Sequence, residues 1–326
     1  MGLQTTFPNP LPVFVYGALR SGTTVFRLML DNHPQIGNPG EVDYIFDFLE
    51  ADSTHPTGWR YDLEGLVLNR GFQTSGLQIE TGPDGTEMSG LDLLAAFLWQ
   101  FRSQLAEGQR IFTLNVHRSL GKILEIFPDA RILHMLRDPR DVARSSIGMG
   151  WANHIYRGID YWIETERDWD RVAPQLTSAH VMTLHYEDLF TDIEGELARV
   201  CTFLGVPWEP RMLAYHETST YAPPDPTLIR QWVRKCDPDH VALLEGKAGE
   251  LIAARGYELT GTARQPGALE RLKLKVQHKS GVWRFGMRRH GAVTYFGEKL
   301  SRWMGFSKLH ARFRDQMNQN EIATLK

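Results

Sequence analysis

Hydrophobic positions along the chain fall into short apolar runs that alternate with amphipathic stretches. Leu11–Gly17 (LPVFVYG) reads as a buried strand ending at a glycine, and a buried helix follows it, stopped before Pro34. Ile111–Val116 and Ala130–Leu136 read as further buried strands, separated by the helix SLGKILEIFPD. DPRDVARSSIGM starts another helix, and His180–Tyr186 is a fourth strand leading to a helix over Ile193–Leu204 stopped at Gly205. A late helix spans Asp239–Ala254 before Gly256. Strands alternating with helices predict an α/β fold of three layers, a P-loop-type parallel sheet flanked by helices.

Two regions break this rhythm. Residues 46–90 are polar and glycine-rich with weak periodicity, which suggests an insertion or lid on an α/β domain covering 1–260. Glu217–Pro238 is rich in proline and basic residues and reads as a long loop. Residues 261–326 form a basic helical C-terminal extension (LERLKLKVQHK, VWRFGMRRHG, YFGEKLSRWMGFSKLHARFRD).

The formal net charge of −3 hides an asymmetry. Residues 1–263 carry 22 Lys/Arg against 35 Asp/Glu, a net of −13, while residues 264–326 carry 14 against 4, a net of +10. The tail, with Trp283, Phe285, Trp303 and Phe306 between its cations, suits peripheral contact with an anionic membrane. Packing across the acidic body, or pairing in a homodimer, is the favoured alternative. No nucleic-acid-binding motif is present. No apolar run reaches membrane-spanning length and the first 17 residues carry no secretory pattern. The only cysteines, Cys201 and Cys236, form neither a disulfide framework nor a zinc pattern, and Cys201 reads as core. The expectation is a cytoplasmic protein, with peripheral membrane contact open.

Candidate chemistry concentrates at two strand ends. Gly17–Thr24 (GALRSGTT) lies between a strand and a helix, where tight glycine turns and a helix N-terminus stabilise an anion. Ser21, Gly22, Thr23 and Thr24 supply main-chain and hydroxyl donors, and Arg20 a charged fork. Gly17 and Gly22 keep a Walker A spacing, but Thr23 stands where ATP binding needs a lysine. Arg137–Ser146 (RDPRDVARSS) follows the strand Ala130–Leu136, at the carboxyl edge where parallel sheets bind ligands. Arg137 suits a bidentate phosphate contact, with Ser145 eight residues on. Asp138 and Asp141 read as helix caps paired with Arg140 and Arg144 on the helix surface.

Together these residues resemble the PAPS-dependent sulfotransferases (PAPS is 3′-phosphoadenosine 5′-phosphosulfate), in particular their tyrosylprotein and bacterial branches, over roughly residues 12–260. Arg20–Thr24 looks like the family's 5′-phosphosulfate loop, and Arg137 with Ser145 like its 3′-phosphate pair. The resemblance implies in-line sulfuryl transfer to a hydroxyl or amine of a small molecule, glycan or lipid. It also implies adenosine 3′,5′-bisphosphate as product, no metal, and Arg20 in leaving-group stabilisation. Two residues compete for the base. Glu41, 21 residues after Arg20, is placed like the base of tyrosylprotein sulfotransferases, though Val42 stands where a second glutamate would be. His117 is placed like the base of cytosolic enzymes, but Asn115-Val116 replaces their lysine and threonine. Tyr186 resembles an adenosine-lining tyrosine, or is core. Ser219 and Arg230, with Arg234 and Lys235, resemble the late loop that closes on donor phosphates. Trp151 is the acceptor-pocket candidate among tryptophans that otherwise read as core, and His134 reads as core. A P-loop kinase using ATP and a non-catalytic nucleotide- or glycan-binding protein are the rival functions.

Overall fold

The computed structural model describes residues 5–82 and 85–323. Five parallel strands form the central sheet: β1 (Val13–Tyr16), β2 (Ile36–Gly37), β3 (Ile111–Val116), β4 (Ile132–Leu136) and β5 (Val181–His185). Their order is β2-β3-β1-β4-β5. Every residue of β1 and β4 is buried, as a parallel sheet covered on both faces requires. Side chains alternate across it. Phe14 and Tyr16 join one core with Phe46, Leu93 and Phe97, while Val13 and Val15 join another with Phe26, Met29 and Leu184.

The helices that matter for the site are α1 (Thr23–Asp31), α2 (Asp43–Asp47), α3 (Gly90–Ser103), α4 (Leu120–Ile126), α5 (Pro139–Gly148), α6 (Asp160–Val172) and α7 (Ile193–Leu204). Then come α8 (Gln231–Lys235), α9 (Pro238–Ala254) and the tail helices α10 (Ala268–His290), α11 (Ala292–Trp303) and α12 (Ser307–Ile322). The chain runs from β1 toward β2 on one side, and later crosses to β4 and β5 on the other. Strand order therefore reverses beside β1, the crevice where open α/β sheets accept ligands. The loops after β1 and β4 border that crevice.

Within residues 46–90, expected as an insertion or lid, a hairpin (Leu49–Ala51 with Trp59–Tyr61) and short helices place Leu49, Tyr61, Leu66 and Leu77 in the main core. Two expectations change. Glu217–Pro238 contains α8, whose Trp232 packs with Val142 and Leu244 in a third core cluster. Arg140 is not on a helix surface but 4% exposed. It pairs with Asp138 and Glu245, each at 2.8 Å, and lies over the Trp232 ring at 3.8 Å. A cation so desolvated persists only because carboxylates surround it. Asp138 does cap α5, accepting from the Arg140 main chain. Cys201 and His134 are core, His134 stacked on Trp169 at 3.8 Å.

The tail lies against the body. Phe285 covers Gly150, where an added Cβ would sit 2.2 Å from its ring. His154 Nε2 donates to the Leu274 carbonyl at 3.0 Å. Asn318 donates to the Leu68 carbonyl and to Gln73, both at 2.9 Å, and Arg70 pairs with Glu321 at 3.1 Å.

Candidate active site

The turn after β1 is built from left-handed residues. Arg20 has φ 75° and Gly22 φ 91°, so successive N–H groups turn toward the start of α1. Glycine is required at 22 twice over, because a Cβ there would lie 2.2 Å from the Tyr186 ring. Gly17 likewise lets the tip of β1 pass β4, where a Cβ would meet the Met135 carbonyl oxygen at 2.4 Å. Arg137 leaves the end of β4 and reaches this turn. Its Nη1 donates to the Arg20 carbonyl at 3.1 Å, its Nη2 to the Leu228 carbonyl at 3.0 Å, and its guanidinium lies 4.1 Å over the Tyr186 ring. Arg20 Nε donates to Ser145 Oγ at 3.0 Å. The turns after β1 and β4 are therefore one continuous structure. Ser21 Oγ and Arg137 Nε are buried there with no partner among the described residues. Burial pushes the Tyr186 hydroxyl pKa up, although Arg137 opposes the shift.

At the end of β3, His117 is 3% exposed. Asp43, in the first turn of α2, accepts from its main-chain N at 2.8 Å and from Nδ1 at 2.7 Å. Nε2 faces Thr23 Oγ1 at 3.2 Å. Burial works against charge on His117, but the Asp43 carboxylate outweighs it and raises the imidazole above its ordinary value. Burial likewise opposes ionisation of Asp43, and the imidazolium beside it prevails, holding the carboxyl below the usual range. Asn115 Nδ2, one turn of strand earlier, donates to the Thr23 carbonyl at 3.0 Å and fixes the helix start. Glu41 bridges to Asn115 in the sheet direction and accepts from Thr24 Oγ1 at 3.4 Å.

These groups border one cleft of about 610 Å³. Arg20, Gly22, Thr23, Thr24, Glu41 and His117 line it from one side, and Arg137, Ser145, Trp151 and Tyr186 from the other. A second cleft of about 350 Å³ shares Leu19, His117 and Arg118 with it.

Residues 12–210 match the sulfotransferase family. The chain belongs to that family. It is an enzyme of sulfuryl transfer. It is 27% identical over 213 residues to a putative protein-tyrosine sulfotransferase of Caenorhabditis briggsae, covering 63% of this chain and 69% of that one. Protein-tyrosine sulfotransferase A of Caenorhabditis elegans is 24% identical over 301 residues, 83% and 74% of the two chains. The chain spans only 40% of the protein-tyrosine sulfotransferase of Drosophila melanogaster, at 26% identity over 212 residues, which cover 63% of this chain. The sulfotransferase domain from the Synechococcus PCC 7002 olefin synthase shares the fold, with a TM-score of 0.54 at 19% identity, covering 79% of this chain and 100% of that domain.

In this sulfotransferase the late loop reaches the cleft through Tyr221, Leu228 and Gln231, whereas Ser219 and Arg230 are not among the lining residues. Ser219 Oγ instead accepts from the Tyr221 main chain at 3.2 Å, and Arg230, at φ 51°, precedes α8. Several lining residues escaped the sequence reading as site groups, among them Asp43, Arg144, Arg314 and Glu321. Asp43 was legible only as an acid near a helix start. Arg144, bonded to Gln231, faces the cleft rather than open surface. Arg314 and Glu321 come from α12, and no local signal marks them.

Proposed function

We propose that this sulfotransferase binds the 5′-phosphosulfate of PAPS with Arg20–Thr24 and the 3′-phosphate with Arg137 and Ser145. The observation that carries the reading is the hydrogen bond from Arg137 to the Arg20 carbonyl, which puts both loops within one small ligand's reach. Ser21 Oγ and Arg137 Nε, both buried and lacking partners among the described residues, fit oxyanions as acceptors. Tyr186 offers a ring to the adenosine. Ser219 and Arg230 belong to this reading only through movement of the late loop.

Glu41 is the acceptor base. The other cleft carboxylates are engaged, Asp43 by His117 and Glu321 by Arg70, while among the described residues Glu41 accepts from the Thr24 hydroxyl alone. The acceptor oxygen attacks sulfur as its proton passes to Glu41. The bond from sulfur to the 5′-phosphate oxygen breaks, and adenosine 3′,5′-bisphosphate leaves. His117, whose charged form Asp43 favours, supplies with Arg20 the positive charge that the family's missing lysine would give. His117 as the base is the second reading, favoured by its contact with Thr23.

The acceptor is a hydroxyl or amine on a small molecule, glycan or lipid, met in the cytoplasm or at its membrane face. Residues 1–260 carry the chemistry and 261–326 form an extension. Mass spectrometry of extracts incubated with PAPS tests the activity: an acceptor gaining the mass of SO₃ supports it. The same gain with Glu41→Gln at wild-type rate excludes the base assignment.

A further inference from the structure

The tail carries a face that no part of the described chain covers. Leu269, Leu272, Val276 and Trp283 recur at helical spacing along one side of α10, and Leu269 is 85% exposed. Val293, Phe296, Leu300 and Trp303 do the same on α11, with Val293 79% and Trp303 83% exposed. The Trp283 and Phe296 rings meet at 5.7 Å and join the two stripes into one apolar surface. A contiguous exposed patch of this kind marks a binding face rather than chance exposure.

Charge selects its occupant. Lys273, Lys275, Lys279, Arg284 and Arg288 are all exposed along α10, and Lys279 lies 4.8 Å over the Trp283 ring. The carboxylates of the segment are engaged elsewhere. Glu270 pairs with Arg264, Glu298 is buried beside Arg302 and His310, Glu321 pairs with Arg70, and Asp315 accepts from Gln319. A second copy docking through the same face would press cation against cation. No helix among the described residues is long and apolar enough to cross a membrane. Apolar and aromatic residues on one side, rimmed by lysine and arginine, match a helix pair lying in the interface of an anionic bilayer.

We infer that the α10–α11 face docks this enzyme onto an anionic lipid bilayer, so that its cleft serves acceptors held at the membrane surface. The acceptor part rests on the sulfotransferase reading; the docking part does not. The same tail reaches the cleft: Arg314 and Glu321 line it, and Phe285 covers Gly150 next to the lining residue Trp151. A docked tail therefore holds the cleft at a fixed place relative to the lipid headgroups.

The full chain is floated with vesicles of phosphatidylcholine, with and without phosphatidylglycerol, in the absence of PAPS. Binding is expected only with phosphatidylglycerol, weakening as salt rises. The double variant Val293→Ser/Trp303→Ser, at exposed positions with circular dichroism unchanged, is expected to bind about tenfold more weakly or less. Lys273→Glu/Lys279→Glu is expected to do the same. Three results would each overturn the inference: no binding to either vesicle, equal binding to both, or undiminished binding by these variants. Self-association lost in the same variants without vesicle binding would make a second copy the occupant instead. Arg137→Ala keeps vesicle binding if the inference holds, so failure of docking and failure of the donor assignment are read separately.

Discussion

Asp43 holds His117 through two hydrogen bonds, one to its main-chain N at 2.8 Å and one to Nδ1 at 2.7 Å. The imidazole pKa is raised and the carboxyl pKa lowered. On the imidazolium reading, turnover falls as pH passes the raised His117 pKa. Asp43→Asn moves the falling limb to lower pH, with kcat down by roughly 10²-fold. If His117 were the base, rate would instead climb through that range. Proton NMR titration of the His117 ring in wild type and Asp43→Asn checks the shift directly.

The pair also sets a stability window. A raised histidine pKa stabilises the fold below the unfolded value, and that contribution is lost as pH rises through the folded one. A lowered aspartate pKa stabilises above the unfolded value and is lost as pH falls through the folded one. Urea unfolding of wild type against Asp43→Asn is expected to differ most in between, from mildly acidic to near-neutral pH, and to converge outside that range.

Arg137 makes two hydrogen bonds to carbonyls of different loops. Arg137→Ala is expected to weaken adenosine 3′,5′-bisphosphate binding by about 1.5–3 kcal/mol, the range for a charged hydrogen bond. Calorimetric titration measures it, and unchanged affinity would refute the 3′-phosphate assignment.

Glu41→Gln keeps the side chain's size and removes its capacity to accept a proton. The expected outcome is kcat lower by about 10²–10⁴-fold with bisphosphate affinity retained. Equal loss in both would mean that Glu41 shapes the donor loop rather than serving the acceptor.

Arg140 lies between Asp138 and Glu245 with almost no solvent contact. Arg140→Leu strands two carboxylates and is expected to destabilise the fold by about 3–5 kcal/mol, seen as a lower urea midpoint with unchanged slope.

What could be read from the chain follows from how local each feature is. The sheet strands were legible because Val13–Tyr16 is an unbroken apolar run and Ile132–Leu136 is broken only by His134, both buried throughout. The turn after β1 was legible because one octapeptide contains it. Asp43 and His117 lie 74 positions apart and meet only because α2 starts beside the end of β3. Arg144 reads as a surface cation until α8 supplies Gln231. Residues 46–90 looked loose because Leu49, Tyr61 and Leu66 belong to elements of three to five residues, too short to show a period.

The salt bridge between Arg70 and Glu321 closes the cleft's rim across 251 positions of chain. Contacts so remote in sequence form late, since the whole intervening loop must be ordered first. On the ribosome the turns after β1 and β4 can fold while the cleft still lacks part of its wall. The finished cleft therefore dates from the arrival of α12, since a nascent chain halted before Ser307 lacks the Arg314 and Glu321 side of it.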